Sequence, residues 1–166
     1  MKVKELQIAF NKSMRNSFPF LIPNTYIKDW FECDIIGVKE SGYVHEIEIK
    51  MSRSDYKEDY KKTVKIKGKS LFKHDLMQDG QGPINYFSFL TPKGLLKLED
   101  VPANYGLYEF DGRYVRCLRT PRILHKRKAD NDFKHHCLRN IVYKYWDLLE
   151  SNVKLDHRIS RIESTR

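Results

Sequence analysis

Residues 43–50, "YVHEIEIK", alternate apolar and charged side chains and run without a break into "MSRSDYKEDYKK", a charged stretch of helical character. A period of two specifies a β-strand with two unlike faces. Tyr43, His45, Ile47 and Ile49 share the face that can pack inward, and Val44, Glu46, Glu48 and Lys50 share the other. The apolar run "WFECDIIGV" and the turn "KESG" just before make this strand the second arm of a hairpin. Any fold for this chain must therefore place two acids and an amine on one strand face.

Glu48 and Lys50, two residues apart on a strand, stand about 7 Å from each other, so both side chains can reach one point. The hairpin returns Asp34 across from them, within the range of cross-strand neighbours. Two carboxylates supply part of the octahedral shell of Mg²⁺ and leave water and a substrate phosphate to complete it. Such a metal lowers the pKa of a bound water, and an adjacent lysine stabilises charge in the transition state. The simpler alternative is an exposed strand face with ordinary salt bridges. On such a face Glu46 is expected as a solvated carboxylate at the rim, and Lys50 contributes little to stability.

The rest of the chain frames this hairpin. Leu6, Phe10 and Met14 recur every four residues and predict a helix over 2–15, which the prolines of "NSFPFLIPN" end. Ser52 or Ser54 caps the helix after Lys50, and Asp55 suits its first turn. Residues 63–83 are basic and then glycine-rich, and read as an exposed excursion or a mobile loop; His74 on it is read as a loop histidine, with an approach to the charged strand face as the alternative. "INYFSFLT" is an aromatic strand, and "GLYEF" and "RYVRCLR" flank a turn at Asp111–Gly112 to give a second hairpin. Phe133, Leu138, Ile141, Val142, Tyr145 and Leu149 predict an amphipathic helix over 130–150, followed by a polar tail at 151–166 that frays. Trp30, Phe31, Trp146 and the tyrosines are expected in the core. The sum is one α/β (α+β) domain over 1–150, with a mixed sheet of about four or five strands flanked by helices.

With 31 Lys and Arg against 22 Asp and Glu, the formal net charge is +9, which points to a polyanionic partner, most simply DNA. No apolar run reaches membrane-spanning length and the N-terminus has no signal-peptide core, so a cytoplasmic protein is expected. Cys33, Cys117 and Cys137 are too scattered for a disulfide framework, and "HHC" at 135–137 lacks a second ligand pair at zinc spacing.

The segment "ECDIIGV…GYVHEIEIKMSRSDYKEDYKK" resembles the PD-(D/E)xK nuclease superfamily, and more narrowly its MmcB-like and phage-encoded members. "NYFSFLTPKGLLKLEDVPANYGLYEF" and "RTPRILHKRK…YKYW" are similar to the later parts of that group, so the likeness runs over about residues 22–146. The resemblance implies a restriction-endonuclease-like fold and a Mg²⁺-dependent deoxyribonuclease, with Mn²⁺ as a substitute metal. It makes Asp34 and Glu48 the metal ligands and Lys50 the catalytic lysine, with Glu5 and Glu46 as candidates for a further acid. The longer basic stretch at 63–83 departs from the group and leaves substrate selection open.

Arg53, Lys57 and Lys61 on the helix after Lys50, and Lys126, Arg127 and Lys128 in "LHKRK", are candidate DNA-backbone contacts. Lys62, Lys65, Lys67, Lys69, Lys73, Arg119 and Arg122 add to these clusters. Such groups neutralise phosphates without reading bases, which predicts salt-sensitive binding of low sequence specificity. A symmetric homodimer would suit a double-strand or junction cut. The alternative to an enzyme is a noncatalytic nuclease-like DNA-binding or interaction module.

Overall fold

The computed structural model describes residues 1–66 and 68–163; Lys67, one of the basic residues of the excursion, and positions 164–166 lie outside the described residues. The chain separates into two units, 1–129 and the segment from Asp130 onward.

The first unit opens with helix α1 (Val3–Met14), whose Leu6 and Phe10 are fully buried one turn apart. Strands β1 (Phe20–Tyr26), β2 (Glu32–Val38) and β3 (Val44–Ile49) follow as an antiparallel meander. Helix α2 (Arg53–Asp59) starts at Ser52, whose hydroxyl accepts the Asp55 N–H at 3.1 Å. Next come the small hairpin β4 (Thr63–Ile66) and β5 (Lys69–Phe72) and helix α3 (Lys73–Gln78). Strand β6 (Tyr86–Pro92) then pairs parallel to β3, β7 (Gly106–Phe110) pairs parallel to β6, and β8 (Val115–Arg119) closes the edge antiparallel to β7. The result is a mixed six-stranded sheet in the order β1-β2-β3-β6-β7-β8, plus the two-stranded β4–β5 hairpin.

Three elements differ from the sequence expectation. The sheet has six strands because β1 forms straight through Pro23, which is tolerated on an edge strand where no ladder donor is required. The described residues of the stretch at 63–83 form β4, β5 and α3 rather than an open loop, and Val64, Lys73, His74, Leu76 and Met77 are buried. The second unit is helix α4 (Asn131–Glu163), which continues through the segment whose polarity predicts fraying. Trp146 on that helix is exposed, not core, whereas Trp30 is buried as expected.

Strand β3 is buried along its whole length, so both of its faces are covered. Ile47 and Ile49 join Leu6, Phe10, Ile35, Leu90, Tyr108 and Phe110 in the core on one side. His45 also points to this side, where it meets Phe18 and Tyr108 and shares a 2.8 Å hydrogen bond with Ser88 Oγ. Gly106 lies opposite Ser88 on β7, and a Cβ there would stand 2.1 Å from that hydroxyl, so only glycine permits the strands to close over the His45–Ser88 pair.

Burial, with help from the Lys39 charge, lowers the His45 pKa to about 3. A folded-state value below the unfolded one means that only the unfolded chain gains this proton between about pH 6.5 and 3. Stability from this residue is therefore complete above the unfolded value and falls by about 1.4 kcal/mol per pH unit below it. The expected loss from pH 7 to pH 5 is about 2 kcal/mol. Urea midpoints of wild type and His45→Gln at the two pH values isolate it, because the variant lacks this component of the slope.

Candidate active site

The opposite face of β3 carries the charges. The register pairs Ile35 with Ile47 and Ile36 with Glu46, and its next step sets Asp34 opposite Glu48. Asp34 Oδ2 accepts the Ile49 N–H at 2.7 Å, which holds the carboxylate across the β2–β3 pair. Lys50 stands just past the carboxyl end of β3, where its N–H donates to Leu90 O at 3.1 Å. In open α/β sheets that end of a parallel strand pair is where ligands are held.

Here Asp34, Glu48 and Lys50 line one cleft of about 280 Å³, together with Asp55, Glu58, Asp59 and Lys62. The sequence-predicted trio is thus brought together. Five carboxylates and two ammonium groups face this space, an acidic surplus inside a chain of net charge +9. A neighbouring cavity of about 330 Å³ beside α1 is lined by Gln7, Phe10, Leu21 and other residues, none of them acidic.

Lys50 is not a solvated strand lysine. It is 3% exposed, and its Nζ lies 3.1 Å from Glu48 Oε1, 2.9 Å from Asp59 Oδ1 and 3.6 Å from Asp55 Oδ1. Burial pulls its pKa down, but Glu48 and Asp59 outweigh burial and raise it, so the amine stays protonated. Lys62 also reaches into the cleft and pairs with Glu48 and, at 2.6 Å, with Asp59. Asp59 is fully buried. Burial alone would push its carboxyl up; the His74 hydrogen bond and the Lys73, Lys50 and Lys62 charges reverse that and hold it far below the carboxylate range.

Glu48 behaves in the opposite way. Burial, countered by Lys73 and reinforced by Asp59 and Glu46, raises its pKa to about 7. Its Oε2 is buried without a hydrogen-bond partner, 3.9 Å from Lys73 Nζ. Asp34 is raised as well, by burial acting against the Ile49 N–H bond and the Lys50 charge. Two carboxylates that resist ionisation, one with an orphaned oxygen, fit a cation as the absent partner. Among the described residues no three His, Cys, Asp or Glu side chains converge as a ready-made metal set. The donor chemistry fits a hard divalent cation held by Asp34 and Glu48 with water completing its shell, as Mg²⁺ prefers.

The other sequence candidates fall outside the cleft. Glu46 is fully buried, not a rim carboxylate, and accepts from Trp30 Nε1 at 3.1 Å and from Lys73 Nζ. Glu5 accepts the Lys2 N–H at 2.8 Å and so caps α1. His74 is a buried helix residue rather than a loop histidine, bonded to Asp59 at 2.8 Å and to Tyr105 at 3.1 Å, and stacked on Tyr60.

Among the basic candidates, Lys57 is exposed on α2 and Lys61 is exposed in the turn just after it, paired with Glu58, and Arg53 is paired with Asp100 at 2.9 Å. Lys126, Arg127 and Lys128 are exposed at the other end of β3. The Ala129 N–H there donates to Gly42 O, eight residues and about 26 Å of strand away from Lys50. Arg127 is engaged with the Gly80 and Gly82 carbonyls, and Arg119 with those of Leu98, Val101, Pro102 and Tyr105.

Sequence reasoning missed Asp59, and took Lys62 and Lys73 for surface charges. Asp59 follows Asp55 by one helical turn on a helix whose start is fixed next to Lys50, which is the available signal.

No protein-family model and no curated protein matches the chain. The solved SPO1766 protein of unknown function from Silicibacter pomeroyi is similar in structure, with a TM-score of 0.60 and 16% identity over 89% of this chain and 86% of that one. At that identity the likeness shows a shared fold alone. Among the described residues no helix is long and apolar enough to cross a membrane.

Proposed function

We propose that this protein is a divalent-metal-dependent nuclease of restriction-endonuclease-like fold that hydrolyses DNA phosphodiester bonds in the cytoplasm, that of the host if it is phage-encoded. The observation that carries this reading is the acidic cleft at the carboxyl end of β3, which joins Asp34, Glu48 and Lys50 in a protein otherwise rich in cations. Carboxylates facing a phosphate backbone repel it, so a pure DNA binder gains nothing from such a cleft.

In this reading Asp34 and Glu48 hold Mg²⁺, or Mn²⁺ in its place. When bound, the metal supplies a more acidic water and neutralises charge on the phosphoryl oxygens. Asp34 is oriented by the Ile49 N–H, and Glu48, whose Oε2 has no hydrogen-bond donor, would be the second ligand. Lys50, kept cationic by Glu48 and Asp59, orients the attacking water and offsets charge on the phosphate. Asp59 touches no substrate; it positions Lys50, and His74 in turn positions Asp59. Lys57 and its neighbours on α2 hold the phosphate backbone.

Purified protein incubated with supercoiled, linear, single-stranded and branched DNA tests this directly. Cleavage of at least one substrate in Mg²⁺ or Mn²⁺, abolished by EDTA, is the expected result. Binding without cleavage under every metal condition would favour the noncatalytic module.

A further inference from the structure

The longest helix of the chain carries a second pattern, unrelated to the cleft. Along α4, Leu138, Ile141, Tyr145, Leu148, Asn152, Leu155, Ile159 and Ile162 are spaced alternately by three and four residues. That is an a/d heptad seam held for more than three heptads. Its apolar members from Leu138 to Ile159 face solvent, with exposure from 38% at Ile141 to 59% at Leu138. Val142 and Leu149, at e positions, widen the stripe. The Glu150–Lys154 ion pair lies away from the seam, at f and c. An apolar stripe this long and this exposed marks an interaction surface.

We propose that α4 pairs with α4 of a second copy of this chain as a parallel, in-register, two-stranded coiled coil. Three features select that occupant over an unrelated helix. Asn152 is the one amide at an a position between Leu138 and Ile162, and in a parallel dimer it meets its own copy and hydrogen-bonds across the seam. An antiparallel pair would set it against an apolar d residue instead. Leu148 and Leu155 at d favour two strands, as Asn152 at a does, whereas Ile141 and Ile162 at d and Tyr145 at a depart from the two-stranded pattern, so the dimer rests on the central Leu148, Asn152 and Leu155 layers. Arg158 at g faces Glu163 at e of the partner helix, so opposite charges meet in that register. The pairing is independent of the nuclease reading and would hold for any activity of the first unit. If that reading stands, each particle carries two clefts related by a twofold axis.

The full chain is measured by light scattering and sedimentation over a wide concentration range. A dimer is expected. A monomer at every concentration, a trimer or a tetramer would each overturn the proposal. Leu155→Glu, at an exposed position outside the first unit, is expected to abolish dimerisation with the β-sheet circular dichroism unchanged; a persistent dimer would contradict the seam. Orientation is read with Asn152→Cys in a Cys117→Ser background, since Cys33 and Cys137 are buried. Disulfide formation under mild oxidant, absent from the Cys117→Ser parent, supports the parallel register. A dimer in which the introduced thiol fails to cross-link overturns it.

Discussion

Lys73→Ala is expected to destabilise the protein by about 3–5 kcal/mol, the cost of stranding a buried charge. Lys73 is wholly buried, with its Nζ on Glu46 and 5.2 Å from the ring centroids of both Phe31 and Phe87. Removing the amine leaves the buried Glu46 carboxylate with only neutral donors, the Trp30 N–H and the Cys33 thiol, and takes from Glu48 one of the charges that moderate its pKa. The pair itself adds little net stability, because desolvating two ions offsets most of their attraction. Lys73→Met combined with Glu46→Gln should therefore recover much of the loss, since glutamine still accepts from Trp30. Urea unfolding of the single and double variants checks this; a Lys73→Ala protein as stable as wild type would refute the buried pair.

Lys50→Ala has the next largest effect, and it acts on two quantities at once. On the proposed nuclease reading, cleavage should fall by about 10²–10³, the usual result of removing one electrostatic stabiliser from an active site. Stability should also fall, by about 3 kcal/mol, because Glu48 and Asp59 lose a buried partner; Lys62 still reaches both and keeps the loss at the low end. An exposed lysine would have shown only the first effect. Plasmid nicking at a temperature where both proteins are folded, alongside denaturant unfolding, separates the two.

The contrast between Lys50 and Lys73 shows what the sequence carries and what it does not. The alternation through "VHEIEIK" and the turn that returns Asp34 are local patterns, and they are enough to bring Asp34, Glu48 and Lys50 to one point. Burial of that strand face was not legible, because what covers it comes from elsewhere: α2, α3 and the β4–β5 hairpin insert between β3 and its parallel neighbour β6. The excursion looked solvated because it is rich in lysine, yet Lys73 is spent on Glu46 in the interior. Pro23 concealed β1, since a proline argues against a strand unless that strand is known to be at an edge. The polarity of residues 151–166 masked a seam that uses only two positions in seven.

Asp34 and Glu48 are proposed to hold a divalent metal with which this protein cuts DNA. Asp34→Asn is the cleanest probe of that site, because the amide oxygen can still accept the Ile49 N–H while the charge is gone. The measurement is nicking of supercoiled plasmid in Mg²⁺ and in EDTA, run beside calorimetric titration of Mg²⁺ and Mn²⁺ into wild type and Asp34→Asn. Metal binding and Mg²⁺-dependent nicking by wild type, both lost in a folded Asp34→Asn protein, is the predicted result. Nicking that survives EDTA, or an Asp34→Asn protein that binds metal and cuts as wild type does, would contradict it.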